Sequence, residues 1–259
     1  MPDLVITGPC RSGTALLHTL VNDYVPNAIC TNEVVNKGIA GLKAYFAATR
    51  KAVNAGKPIA NRYARDGSLS DNSWRKGAEI QRRVVEKPLE GDWLMATKVM
   101  LGCMDHIPEI VDLGFPVAVI VRDPVYTLGS WGDPKTRGQT VGRITENDMH
   151  KWWEKHPFPF NRIDAIGRRA EYWNYLASTI YESICIAPKG TVRLFRYEDL
   201  VTDTIGELQK ITKWFDMDDP IGAPKLKSAN RDDRYPVRMG EIKKVVGRLC
   251  PIRDKFGYK

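Results

Sequence analysis

No apolar run in this 259-residue chain reaches the ~18 residues that a membrane span requires. The opening stretch MPDLVITG carries neither the basic nor the apolar region of a secretory signal. Both absences lead to the expectation of a soluble protein of the cytoplasm. Cysteine is sparse: Cys10, Cys30, Cys103, Cys185 and Cys250 are odd in number and form no C-x-x-C pair, so buried free thiols are expected in place of a disulfide frame. No internal period of roughly 20 to 50 residues and no low-complexity tract divides the chain. One α/β domain over 1–259 is therefore expected, with insertions at about 50–90 and 131–160 and a basic C-terminal segment, 225–259.

The formal net charge is +8, and it is placed unevenly. Residues 50–90 hold ten Lys/Arg against five Asp/Glu, and residues 225–259 hold eleven against four. Such placement suits a polyanionic ligand, although surface lysines and arginines also serve solubility. Four brief, β-branched runs predict buried strands: LVITG (4–8), WLMATK (93–98), VAVIVR (117–122) and TVRLFRY (191–197), with 27–31 as a fifth. Helical patterns fill 14–22, 37–55, 72–87 and 161–186, and Asp203 ahead of Glu207, Leu208, Ile211, Trp214 and Phe215 caps another helix. The turn-rich stretch 216–238 is expected to close over a site. Strands alternating with helices predict a central parallel β-sheet flanked by helices, with ligands bound at the carboxyl ends of the strands.

Three motifs fall at such ends. GPCRSGT (8–14) spaces Gly8 and Gly13 as in G-x-x-x-x-G-K-[ST], but no lysine separates Gly13 from Thr14. Its glycines allow a sharp turn of inward N–H groups ahead of a helix start, which makes an anion site with Arg11 as its cation. Asp123 follows a strand, but Arg122 and Pro124 flank it and suggest a task other than holding Mg²⁺. RDPVYTLGS puts Ser130 eight positions beyond Arg122, about two helical turns if Pro124 opens a helix, so guanidinium and hydroxyl can converge on one phosphate. In FRYEDL (195–200), Tyr197 can offer its ring to a flat base, while Glu198 and Asp199 cap a turn or fix basic side chains. The first two motifs also have ordinary readings: a glycine turn with an exposed arginine, and a chance Arg–Ser pair.

In this order the three resemble the motifs of sulfotransferases that use 3′-phosphoadenosine 5′-phosphosulfate (PAPS), over about residues 3–215. The resemblance implies a P-loop NTPase-like fold, PAPS as donor, 3′,5′-ADP (PAP) as product, no metal, and in-line transfer to an acceptor hydroxyl. It assigns Arg11, Ser12, Gly13 and Thr14 to the 5′-phosphate, Arg122 and Ser130 to the 3′-phosphate, and Tyr197 to the neighbourhood of the adenine. Lys98, ending WLMATK, matches a family lysine and joins Arg11 in stabilising the leaving nucleotide. As base it favours Glu33 in AICTNEVV, twenty-two residues past Arg11, a spacing similar to the tyrosylprotein branch and more loosely to the glycan branch. His106 in MDHIPEIVDL is the alternative, after the small-molecule branch, and also reads as a surface helix histidine.

The late R-K-G loop of that branch has no clean copy, which leaves Arg238, Arg234 and Lys243 as candidates to cover the 3′-phosphate. Trp152, Trp153, Phe158 and Phe160 mark 131–160 as the expected acceptor-specific insertion. The acceptor expected is a small molecule or glycan, with a protein tyrosine as the other option, and neither nucleic acid nor a membrane span is expected. A P-loop kinase of a small metabolite is the enzymatic rival, opposed by the missing lysine. A non-enzymatic nucleic-acid-binding protein is the other rival, and it leaves the order of motifs unexplained.

Overall fold

The computed structural model describes residues 2–32, 39–64, 67–69, 79–99, 101–132, 164–228, 230–235 and 238–259. In chain order, the elements are β1 (Asp3–Thr7), α1 (Thr14–Tyr24), β2 (Ala28–Asn32), α2 (Leu42–Asn54), β3 (Ile59–Tyr63), β4 (Glu79–Arg83), β5 (Leu94–Lys98) and α3 (Ile107–Asp112). There follow β6 (Val117–Val121), α4 (Pro124–Gly132), α5 (Ala165–Ile186), β7 (Val192–Arg196), α6 (Tyr197–Thr202), α7 (Thr204–Trp214) and α8 (Met239–Leu249). All five predicted strands form one parallel sheet in the order β2-β5-β1-β6-β7.

Alternate side chains of a strand point to opposite faces, and here both faces are covered. In β6, Val117, Val119 and Val121 join a core with Phe46, Trp131 and Trp173. Ala118 and Ile120, on the opposite face, join Leu17, Leu20 and Val21 of α1 with Leu208 and Ile211 of α7. The Asp203 side chain caps α7 by accepting the Gly206 N–H at 3.0 Å, as the sequence predicted. Among the described residues, no helix is long and apolar enough to cross a membrane. Cys30 and Cys250 are buried free thiols as expected, whereas Cys185, also free, is exposed.

The helix expected over 72–87 is not what forms in its described part. Residues 79–83 are instead β4, paired antiparallel with β3, which the sequence reading did not find. The pairing partner lies some twenty residues upstream, and Arg83 stacks 4.0 Å over the Tyr63 ring. Cross-strand contacts of this kind override a helical pattern of charged residues.

β2 is an edge strand whose outer side is met by side-chain amides. Asn22 Oδ1 accepts the Cys30 N–H at 3.0 Å, Asn61 Oδ1 accepts the Asn32 N–H at 2.9 Å, and Asn61 Nδ2 donates to the Cys30 carbonyl at 2.9 Å. From the sheet centre, the chain leaves β1 toward β2 on one side and leaves β6 toward β7 on the other. The loops after β1 and β6 therefore diverge, opening a crevice at the carboxyl ends of the two strands.

Candidate functional site

The loop after β1 is built for close approach. A Cβ on Gly8 (φ +152°) would lie 2.1 Å from the Ile120 carbonyl oxygen, so the loop rests directly on the backbone of β6. Arg11 (φ 68°) and Gly13 (φ 103°) are both left-handed, which turns the chain into α1. Ser12 is fully buried, and its hydroxyl and N–H both donate to the Pro9 carbonyl, at 2.6 and 3.1 Å. Ser12 thus braces the loop from within. No acidic side chain occupies the first turn of α1, so nothing there opposes the positive end of its dipole.

The two strand-end motifs meet across the crevice. Arg11 Nε donates to Ser130 Oγ at 3.1 Å, joining the loop after β1 to α4, whose first residue is Pro124. Burial pulls the Arg11 guanidinium below its usual pKa, but a guanidinium that starts so high stays charged. Arg122, 4% exposed, donates from Nε to Asn230 Oδ1 at 2.7 Å, from Nη2 to the Tyr235 hydroxyl at 2.9 Å, and from Nη1 to the Arg11 carbonyl at 3.2 Å. Its guanidinium lies 4.7 Å over the Tyr197 ring. That ring also packs on the loop, where a Cβ at Gly13 would meet Tyr197 at 2.8 Å. Tyr197 is therefore wedged between Gly13 and Arg122 and is 7% exposed.

The structure thus brings Arg11, Ser12, Gly13, Thr14, Arg122, Ser130 and Tyr197 together at one crevice. It does not bring Arg238 to Arg122: that side chain is largely exposed and pairs with Glu241 at 3.3 Å. Asn230 and Tyr235, which the sequence reading missed, are there instead. Both come from the turn-rich stretch expected to close over the site, but no pattern singled them out. Asp123 accepts the Val125 N–H at 2.7 Å within the first turn of α4, and burial raises its pKa. Glu198 Oε1 accepts from Asn230 Nδ2 at 2.6 Å and from the Asp123 N–H at 3.1 Å, and its Oε2 accepts from the Tyr258 hydroxyl at 2.8 Å.

On the other side of β1, Lys98 ends β5 and is 7% exposed. It stands in register with Ile6 of β1 and Asn32 of β2. Glu33 follows Asn32 and lies outside the described residues, as do Trp152, Trp153, Phe158 and Phe160. His106 pairs with Glu109 at 3.1 Å and is 39% exposed, in keeping with a surface helix histidine. A cleft of about 620 Å³ runs along the outer edge of β2, lined by Asn22, Asn61, Tyr63, Arg83 and Lys87 among others, and the nucleotide candidates are not in it.

His18 of α1 is fully buried and donates from Nε2 to the Cys30 carbonyl at 3.1 Å. Burial, helped by the charge of Lys98, pushes its pKa down to about 3. In the unfolded chain a histidine takes up its proton near pH 6.5. Folded His18 stays neutral below that, so its contribution is intact above ~6.5 and stability falls with pH beneath it, by up to ~1.4 kcal/mol per unit. In urea unfolding at about pH 7 and about pH 5, wild type should lose ~2 kcal/mol more than His18→Gln. Equal losses would remove His18 as the cause.

A sequence model described as Sulfotransferase family matches residues 2–220. No curated protein matches the chain. Among solved structures, the chain is similar to a sulfotransferase domain from the curacin biosynthetic pathway, at 11% identity and a TM-score of 0.48, covering 100% of this chain and 99% of that one. A sulfotransferase from Alicyclobacillus acidocaldarius is similar at 11% identity and 0.47, covering 100% and 97%. A mouse sulfotransferase complexed with PAP is similar at 12% identity and 0.40, covering 99% and 78%.

Proposed function

The chain belongs to the sulfotransferase family, and from that premise we propose that it moves a sulfuryl group from PAPS to an acceptor hydroxyl by in-line displacement. The observation that carries the choice of donor is the Arg11–Ser130–Arg122 constellation, which links two phosphate-suited motifs across one crevice. Arg11 and the N–H groups of Gly13 and Thr14 hold the 5′-phosphate, with Ser12 bracing the loop beneath them, while Arg122 and Ser130 hold the 3′-phosphate. Tyr197 supports Arg122 from below and lies beside the adenine. Arg238 reaches the nucleotide only if its exposed side chain swings away from Glu241.

Glu33 accepts the proton of the acceptor hydroxyl as that oxygen bonds to sulfur. The S–O bond to the 5′-phosphate breaks in the same step, and its electron pair stays on the phosphate oxygen, where Lys98 and Arg11 meet the growing charge. An ordinary carboxylate, with a pKa of ~4.3, is too weak to ionise an alcohol beforehand. Concerted transfer removes that demand. The acceptor we favour is a small molecule or glycan, handled by one transferase domain over 1–259 in the cytoplasm.

Ligand binding raises folding stability, by ~2.7 kcal/mol at a hundredfold excess over Kd. A clear rise in thermal stability with 3′,5′-ADP in the presence of EDTA is the expected result. A rise only with ATP and Mg²⁺, or only with an oligonucleotide, would replace this reading by a kinase or a nucleic-acid binder.

A further inference from the structure

Glu198 stands at the junction of four segments. One of its oxygens holds the Asp123 N–H, the residue directly after Arg122, and also the Asn230 amide that in turn holds the Arg122 side chain. Both the backbone and the guanidinium of Arg122 are thus referred to one carboxylate. Its second oxygen takes the hydroxyl of Tyr258, a residue 5% exposed whose ring lies 4.7 Å under the Arg196 guanidinium.

Donor and acceptor rules fix the sense of every bond in this chain. A guanidinium can only donate, so Asn230 must turn its carbonyl oxygen to Arg122 Nε, which leaves its NH₂ facing Glu198. An ionised carboxylate can only accept, so it suits that NH₂ and the Asp123 N–H and obliges the Tyr258 hydroxyl to donate. Burial and the Glu198 charge both push the Tyr258 pKa up, which keeps the hydroxyl protonated for that bond. Removing Tyr258 Oη would leave one Glu198 oxygen short of a donor, and the carboxylate would be free to turn away from Asn230.

We infer that Glu198 and Tyr258 are positioning residues for Arg122, which aim its guanidinium at the 3′-phosphate of the nucleotide without touching it. This rests on the reading that Arg122 takes that phosphate. A network that aims one arginine predicts a selective effect: the affinity gained from the 3′-phosphate should fall, and the affinity for the rest of the nucleotide should not.

The measurement is the pair of dissociation constants for 3′,5′-ADP and 5′-AMP, taken for wild type, Tyr258→Phe and Glu198→Gln. Tyr258→Phe retains the ring under Arg196. Glu198→Gln retains size but offers one acceptor oxygen in place of two. Wild type should prefer 3′,5′-ADP, and each variant should lose roughly three- to tenfold of that preference through weaker 3′,5′-ADP binding alone. Equal weakening of both ligands would show a general structural role and overturn the inference, as would an unchanged preference in both variants. A wild type with no preference for 3′,5′-ADP would instead sink the nucleotide reading itself, and this inference with it.

Discussion

Glu33→Gln should lower turnover by ~10² to 10⁴-fold, the usual contribution of a general base, while 3′,5′-ADP binds as tightly as to wild type. The amide keeps the shape of the carboxylate but cannot take up the proton of the acceptor hydroxyl. β2 ends at Asn32, the residue before Glu33 in sequence, and Asn32 is in register with Lys98, the proposed leaving-group cation. The contacts proposed for the bound nucleotide's two phosphates come from the loops after β1 and β6 and do not include Glu33, which is why binding and turnover should separate. The check is a single-turnover assay with labelled PAPS beside a titration with 3′,5′-ADP. Turnover close to wild type would remove Glu33 as the base. His106, paired with Glu109 on the surface, would be the next variant to measure.

Arg122→Ala should weaken 3′,5′-ADP by ~1.5 to 3 kcal/mol, the range for hydrogen bonds to a charged group, or about 10- to 150-fold in Kd. It should also destabilise the free protein, since Asn230 Oδ1 and the Tyr235 hydroxyl lose a donor and the Tyr197 ring loses its cover. Arg122→Lys is not a rescue, because one ammonium cannot serve Asn230, Tyr235 and the Arg11 carbonyl in their three directions. Nucleotide titration well below the melting temperature separates the two effects. Unchanged affinity in a folded Arg122→Ala protein would mean that the 3′-phosphate binds elsewhere.

Much of the candidate site was legible because it is written locally. Glycine spacing after β1, an arginine at the end of β6 and a proline opening α4 are each signals within a dozen residues, and they place Arg11, Arg122 and Ser130 without knowledge of the sheet order. Asn230 and Tyr235 carry no such signal, since a turn-rich stretch has no period to say which side chains face inward. The sequence offers Tyr197 only as a ring at a strand end, because its contacts with Gly13 and Arg122 depend on how two distant loops pack. The sequence pattern of β4 points to helix because its stability as a strand comes from β3, and a window of sequence cannot contain both. The reverse holds for Asp203 and α7, where cap and apolar stripe lie side by side in the sequence and the capped helix forms.

The outer side of β2 has a consequence beyond catalysis. An edge strand normally displays a row of backbone donors and acceptors on which another chain can add itself, the first step of edge-to-edge aggregation. Here the Asn22 and Asn61 amides already take the Cys30 N–H and carbonyl and the Asn32 N–H. An incoming strand would have to displace these bonds before making its own, so this edge of the sheet is a poor template for polymerisation.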